Sequence, residues 1–181
     1  MSGKSRQPRP DGPGPGPARP HAIPLRFIIL FVVFILAGNF SLAIPFVDTR
    51  LIEPWTQANA SAAAGLTRLF GMDADSAGMS LTAGSARLSV KKGCNGVEAL
   101  IILAAAILAF PAPWSRRLVG LLIGAIAIFG FNILRLVNLL VVAVHFPERL
   151  ELFHIFIWQT LIVLIAFGIF ILWGLFFANK S

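Results

Sequence analysis

The chain has 181 residues, of which 57% are hydrophobic and only 13% charged, with a mean hydropathy of +0.82 and a formal net charge of +7. Soluble domains average about 45–50% apolar and about 25% charged residues, so an ordinary soluble globule is excluded and one membrane-embedded domain is implied. The positive balance does not point to nucleic acid, because the basic residues flank apolar segments as topology signals instead of forming the clustered face that a nucleic-acid site needs.

Residues 1–24 are basic and rich in Pro and Gly, as in the run Pro10-Asp11-Gly12-Pro13-Gly14-Pro15-Gly16-Pro17. Such a segment buries too little apolar area to fold, and the sequence predicts a disordered cytoplasmic tail. It does not resemble a signal peptide, since the apolar stretch behind it is long and no clean small-residue cleavage site follows. Residues 25–181 then read as a single domain.

Apolar stretches run from Leu25 to about Ile44, from Cys94 to Phe110, from Leu118 to Val144 and from about His154 to Phe177. A crossing needs roughly 17–25 residues, so the pattern predicts an all-α polytopic membrane protein with four transmembrane helices. Lys4, Arg6, Arg9, Arg19 and Arg26 before the first stretch, Arg116 and Arg117 between the second and third, and Lys180 after the last place both termini inside. Trp114 and Trp173 then fall near the inner interface.

The loop from Pro45 to Gly93 lies outside in this topology. Pro54 suits a first helical position and Gly71 a stop, which predicts a helix over Pro54–Phe70. Its residues Trp55, Ala62, Leu66, Leu69 and Phe70 share one side, as expected of a helix lying on the membrane surface. Met79–Thr82 and Arg87–Val90 alternate about Ala83-Gly84-Ser85, which predicts a short β-hairpin leading into Cys94. No internal repeat supports an inverted-repeat transporter.

Cys94 is the sole cysteine, so an intramolecular disulfide and a multi-thiolate zinc site are both excluded. The predicted topology puts it at a helix N-terminus, where the dipole and exposed N–H groups favour a reactive thiolate. Gly93 and Gly96 would let a substrate backbone approach. Arg135 lies within an apolar stretch, where a charge is a functional candidate by default. Asn132 and Asn138 share its broad helix face, and Glu98 is the candidate for a structural ion pair with it. His154 opens the last stretch, where a neutral imidazole could take a proton. Trp158 could wall the site, and His145 is an alternative histidine. Together these residues suggest acyl transfer: Cys94 attacks a peptide carbonyl, His154 moves the proton and Arg135 stabilises the oxyanion. No zinc, haem or phosphate motif is present, and no metal or cofactor is expected. A non-catalytic scaffold, or a small transporter using Glu98, Arg135 and the asparagines as a polar path, remain open alternatives.

The blocks Gly93-Cys94-Asn95-Gly96-Val97-Glu98-Ala99, Asn132-Ile133-Leu134-Arg135-Leu136 and Phe153-His154 with Trp158-Gln159 resemble the exosortase/archaeosortase family. The Cys94–Ala99 run and Ala109-Phe110-Pro111-Ala112-Pro113-Trp114 are most similar to the exosortase H subtype. The resemblance covers roughly Val90 to Trp173. It implies a transpeptidase of the bacterial cytoplasmic membrane with its site on the outer face. Its partners would be exported proteins bearing a C-terminal sorting tail: a short motif, Ile-Pro-Thr-Leu-like in the H subtype, then a membrane helix and basic residues. Cys94 would form an acyl-thioester, Arg135 would act as proton donor or oxyanion stabiliser, and His154 would be the third catalytic residue. Asn95, Gly96, Glu98, Asn132, Asn138 and Trp158 are expected to bind substrate or support the site. The acceptor is left open between water and an amine on a lipid or glycan.

Overall fold

A computed structural model describes residues 25–91 and 93–178; the expected cytoplasmic tail over 1–24 and the C-terminal Lys180 lie outside the described residues. Five helical segments and a small sheet make up the fold. They are α1 (Leu25–Ser41), α2 (Pro45–Leu69), β1 (Ala74–Ala77), β2 (Ser80–Ala83), β3 (Ala86–Ser89), α3 (Val97–Ala109), α4 (Trp114–His145) and α5 (Leu152–Phe177).

The helices depart from the expected boundaries for identifiable reasons. The first expected stretch stops at Ser41, and Pro45 starts a new helix as its first residue, a position where the missing N–H costs nothing. That helix continues to Leu69, so α2 begins well before the expected Pro54. Over Asp48–Ile52 it is wound wide, and the Glu53 N–H reaches back to the Asp48 carbonyl just ahead of Pro54. The pair α1 and α2 is bent by 78°.

α2 packs by its small and polar face, with Thr56, Asn59, Ala60, Ala63, Ala64 and Thr67 all buried. Of the apolar side expected to lie on the membrane, Leu69 and Phe70 point away from the body, 82% and 75% exposed, while Trp55 turns inward and packs edge-on against Phe129. The sheet has three antiparallel strands in the order β1-β2-β3 where a two-stranded hairpin was expected. β2 and β3 meet at Ala83 and Ala86, with Gly84 and Ser85 forming the turn. Leu81, Ala83 and Val90 from the sheet join Ala60, Ala63 and Ala64 of α2 and Leu136 and Leu140 of α4 in one apolar cluster.

A second cluster holds Ala99, Leu103 and Ile107 of α3, Ile128 of α4 and Ile162, Ala166 and Trp173 of α5. α4 has 32 residues and α5 has 26, and both are long and apolar enough to cross a membrane. The bent α1–α2 pair is a third candidate. α3 has 13 residues, about 20 Å at 1.5 Å per residue, which is short of the roughly 30 Å hydrocarbon core. The described chain is therefore a helical membrane protein with two or three candidate spans where four crossings were expected. α3 starts at Val97 and not at Cys94 because Gly93 and Gly96 both take positive φ and break the helical path. α5 starts at Leu152, two residues before His154, with a wide turn over Leu152–Trp158.

The two long helices approach where Gly120 of α4 meets Trp173 of α5, while Gly124 faces Leu103 of α3. The buried stripe of α4 is Gly120, Gly124, Ile128, Asn132, Arg135, Leu139 and Val142, at helical spacing. Trp173, expected at the inner interface, is buried; its indole Nε1–H donates to the Arg116 carbonyl at 3.0 Å. A Cβ added at Gly120 would lie 2.7 Å from Trp173 Cδ1. Trp114 is exposed and carries the Arg117 guanidinium 5.0 Å above its ring.

Gly120→Ala therefore overpacks a stiff ring, and the expected cost is about 1–3 kcal/mol. A lower thermal unfolding midpoint in detergent than for Gly130→Ala, where a Cβ meets nothing within 4 Å, would bear this out. Equal midpoints would show that the α4–α5 contact is looser than described.

Candidate active site

The turn Gly93-Cys94-Asn95-Gly96 joins the sheet to α3. Gly93 has φ 88° and Gly96 has φ 75°, a region that side chains with a Cβ rarely adopt. Gly96 is glycine for a second reason: a Cβ there would lie 3.2 Å from Asn132 Cγ. Within the turn, the Cys94 N–H donates to the Lys91 carbonyl at 2.9 Å and the Val97 N–H to Asn95 Oδ1 at 3.2 Å. The Glu98 carboxylate accepts the Gly93 N–H at 2.8 Å.

Polar side chains of α2 hold the turn from below. Asn95 is buried; its Nδ2 donates to Thr56 Oγ1 at 3.1 Å, and its carbonyl accepts the Trp55 indole N–H at 2.9 Å. Asn132 of α4 donates to Asn59 Oδ1 at 3.1 Å, and Asn59 donates to the Trp55 carbonyl at 2.9 Å. Thr56 and Asn59 were not among the residues singled out from the sequence. Their signal was present as polar residues at helical spacing on a face otherwise made of alanine.

Three of the singled-out residues meet at this turn. His154 Nε2 is hydrogen-bonded to Cys94 Sγ. Arg135 Nη2 donates to Cys94 Sγ at 3.9 Å, to the His154 carbonyl at 3.5 Å and to Gln159 Oε1 at 3.4 Å. Arg135 is 1% exposed, and its Nε has no hydrogen-bond partner. No ion pair joins it to Glu98 among the described residues, contrary to the structural pairing considered from sequence; Glu98 instead serves the backbone of the turn. Asn138 does not join Arg135 either. Its Oδ1 accepts the Trp158 indole N–H at 2.8 Å, which ties α4 to the wide first turn of α5. His145 is exposed and packs its ring against Phe146, apart from the Cys94 group. Gln159, which follows Trp158 in the sequence block, enters the site through Arg135.

The expected thiolate at a helix N-terminus is not what the turn provides. Cys94 stands before the Gly96 cap and outside the first turn of α3. Burial pushes its thiol above the ordinary value; the Arg135 guanidinium opposes that rise, and the Glu98 carboxylate adds to it. The resting arrangement is thus a protonated thiol against an imidazole nitrogen, beside a buried cation. A cavity of about 620 Å³ opens onto this pair, with Cys94, His154, Leu136, Leu139, Lys91 and Glu151 among its lining residues. No cluster of three or more metal-ligating side chains occurs among the described residues.

A raised thiol pKa leaves Cys94 protonated at neutral pH, so its thiolate fraction grows as pH rises. Alkylation by a small neutral reagent should still be accelerating at about pH 8.5, the ordinary thiol value. A plateau already reached near neutral pH would mean a preformed thiolate–imidazolium pair instead.

The family model described as Transmembrane exosortase (Exosortase_EpsH) matches residues 19–177. No curated protein sequence and no solved structure matches the chain.

Proposed function

The chain belongs to the transmembrane exosortase family, and from that premise we propose that it is a cysteine transpeptidase of the bacterial cytoplasmic membrane, of the H subtype. Its substrates are exported proteins with a C-terminal sorting tail, which it cleaves through an acyl-thioester and passes to an acceptor. The observation that carries this reading is the meeting of Cys94 Sγ, His154 Nε2 and the buried Arg135 guanidinium, which no carboxylate ion-pairs, at one cavity.

The chemistry follows from that arrangement. His154, neutral and protonated on Nδ1, takes the thiol proton on Nε2 as Cys94 Sγ bonds to the scissile carbonyl carbon. Negative charge moves to the carbonyl oxygen, and Arg135, itself buried, donates to it. The intermediate collapses with loss of the amine, which leaves with the proton held by His154. The exported portion remains on Cys94 as a thioester. An acceptor amine, or water, then attacks that carbonyl and releases the thiol. Asn95, Gly96, Glu98 and Asn132 set the shape of the turn. Asn138 and Trp158 set the position of the His154 turn.

In the membrane arrangement we propose, α1 and α3 complete four crossings with α4 and α5, the short α3 being extended across the core by the Cys94 turn before it and the Phe110–Pro113 segment after it. Both termini are cytoplasmic, and the Cys94 turn faces outward. A substrate tail packed laterally in the bilayer brings its outer end to Cys94. Confinement of both partners in one membrane replaces a three-dimensional encounter and orients the scissile bond.

The test is cleavage of a co-expressed reporter that ends in an Ile-Pro-Thr-Leu-like motif, a membrane helix and a basic cluster. Cys94→Ala should abolish cleavage, and His154→Ala should slow it by about 10²–10⁴. Arg135→Lys keeps the charge but loses the guanidinium fork and should slow it by roughly 10–10³, all at matched protein levels. Undiminished cleavage by Cys94→Ala would refute the reading.

A further inference from the structure

β3 is an edge strand: it ends the sheet order and pairs with β2 alone. The register sets Leu81 opposite Leu88 and Ala83 opposite Ala86, and the Val90 N–H donates to the Met79 carbonyl at 2.8 Å. In an antiparallel pair, facing residues alternate between hydrogen-bonded and non-hydrogen-bonded pairs. The Val90–Met79 bond therefore assigns the backbone groups of Ala86, Leu88 and Val90 to the β2 side. The N–H and C=O groups of Arg87 and Ser89 turn the other way, to an edge that no other strand occupies among the described residues. Such an unpaired row is a template for a further extended chain.

The same edge leads into the candidate active site. Leu88, Ser89, Val90 and Lys91 line the cavity that also exposes Cys94 and His154. From Lys91 the chain turns directly to Cys94, whose N–H bonds back to the Lys91 carbonyl. Leu136 and Leu139 of α4 line the same cavity and offer it an apolar surface.

We propose that the extended segment of the peptide substrate preceding the scissile bond binds by strand addition along the Arg87–Ser89 edge of β3. This rests on the peptidase reading above and names how that site holds its substrate. The occupant is an extended peptide because its donors and acceptors recur at every second residue, as those of the edge do. A helix already uses its backbone groups internally, and a lipid carries no such repeat. Main-chain bonds would supply affinity and register, and the cavity wall would select side chains.

The test uses the full-length protein in membranes with the tailed reporter. Ser89→Pro removes the outward N–H, fits strand geometry at an edge and spares the bonds to β2. Ser76→Pro removes the outward N–H of β1, which bonds only the adjacent Asp75 Oδ1, and the exposed Ser76–Ser61 hydroxyl contact, both away from the cavity. Ser89→Pro should lower cleavage about tenfold or more, while Ser76→Pro cleaves as wild type and Cys94 in both variants is alkylated by a small maleimide at the wild-type rate. Wild-type cleavage by Ser89→Pro overturns the proposal. Should Ser89→Pro misfold, synthetic tail peptides N-methylated at single positions decide the matter with the purified wild-type protein. Strand addition predicts lost hydrolysis at alternate positions, and uniform tolerance overturns it. If wild type cleaves neither reporter nor unmodified peptide, the peptidase reading fails, and this proposal fails with it.

Discussion

A buried arginine that no carboxylate ion-pairs sets the terms for the rest of the structure. Arg135 is placed by the packed stripe of α4, and its Nη2 finds only an amide oxygen, a backbone carbonyl and the Cys94 sulfur. Charge in such surroundings costs several kcal/mol unless something answers it. A structural ion pair would satisfy the guanidinium and leave it little to offer a reacting group. Neutral acceptors at 3.4–3.9 Å, together with an unpartnered Nε, leave it able to stabilise negative charge that forms later. In the proposed acyl transfer such charge would develop on the sulfur and on the substrate's carbonyl oxygen, both at the Cys94 turn.

The turn itself sits between the two apolar clusters. Cys94 packs against the one built from α2, the sheet and α4, while α3 runs on into the one shared with α5. Two left-handed glycines let the chain reverse between these bodies; the Asn95–Thr56 bond fastens the reversal to α2, which the Asn132–Asn59 bond in turn ties to α4. The wide turn of α5 brings His154 to the same point, and Trp158 locks it to Asn138 of α4. Wide turns of this kind are frequent at functional sites because they re-aim side chains without ending the helix. Position is thus shared among α2, α4 and α5, as the proposed reaction would demand.

Much of this was legible in the chain. Long apolar runs revealed α4 and α5, and the Gly-Cys-Asn-Gly block, Arg135 and His154 marked the residues that converge. Other features were hidden because tertiary context decided them. Hydropathy extended the second apolar run back to Cys94, but the two glycines start the helix only at Val97 and remove the dipole argument for a thiolate. The packed side of α2 was hidden because it is alanine, threonine and asparagine, so apolarity marked only the outer side. Glu98 was the natural partner of Arg135 by charge, yet it lies on the same turn as the Gly93 N–H and satisfies that instead. β1 has almost no strand signal in Ala-Asp-Ser-Ala and forms because β2 offers it an edge.

The most direct measurement is the covalent state of Cys94 during turnover. Membranes containing the protein and the tailed reporter are quenched in acid, and intact mass is read on the purified enzyme. The account predicts an adduct of Cys94 with the exported portion of the substrate, up to the cleavage point, released by neutral hydroxylamine and missing from Cys94→Ala. Ongoing cleavage with no such adduct at any time, or an adduct that survives in Cys94→Ala, would contradict it.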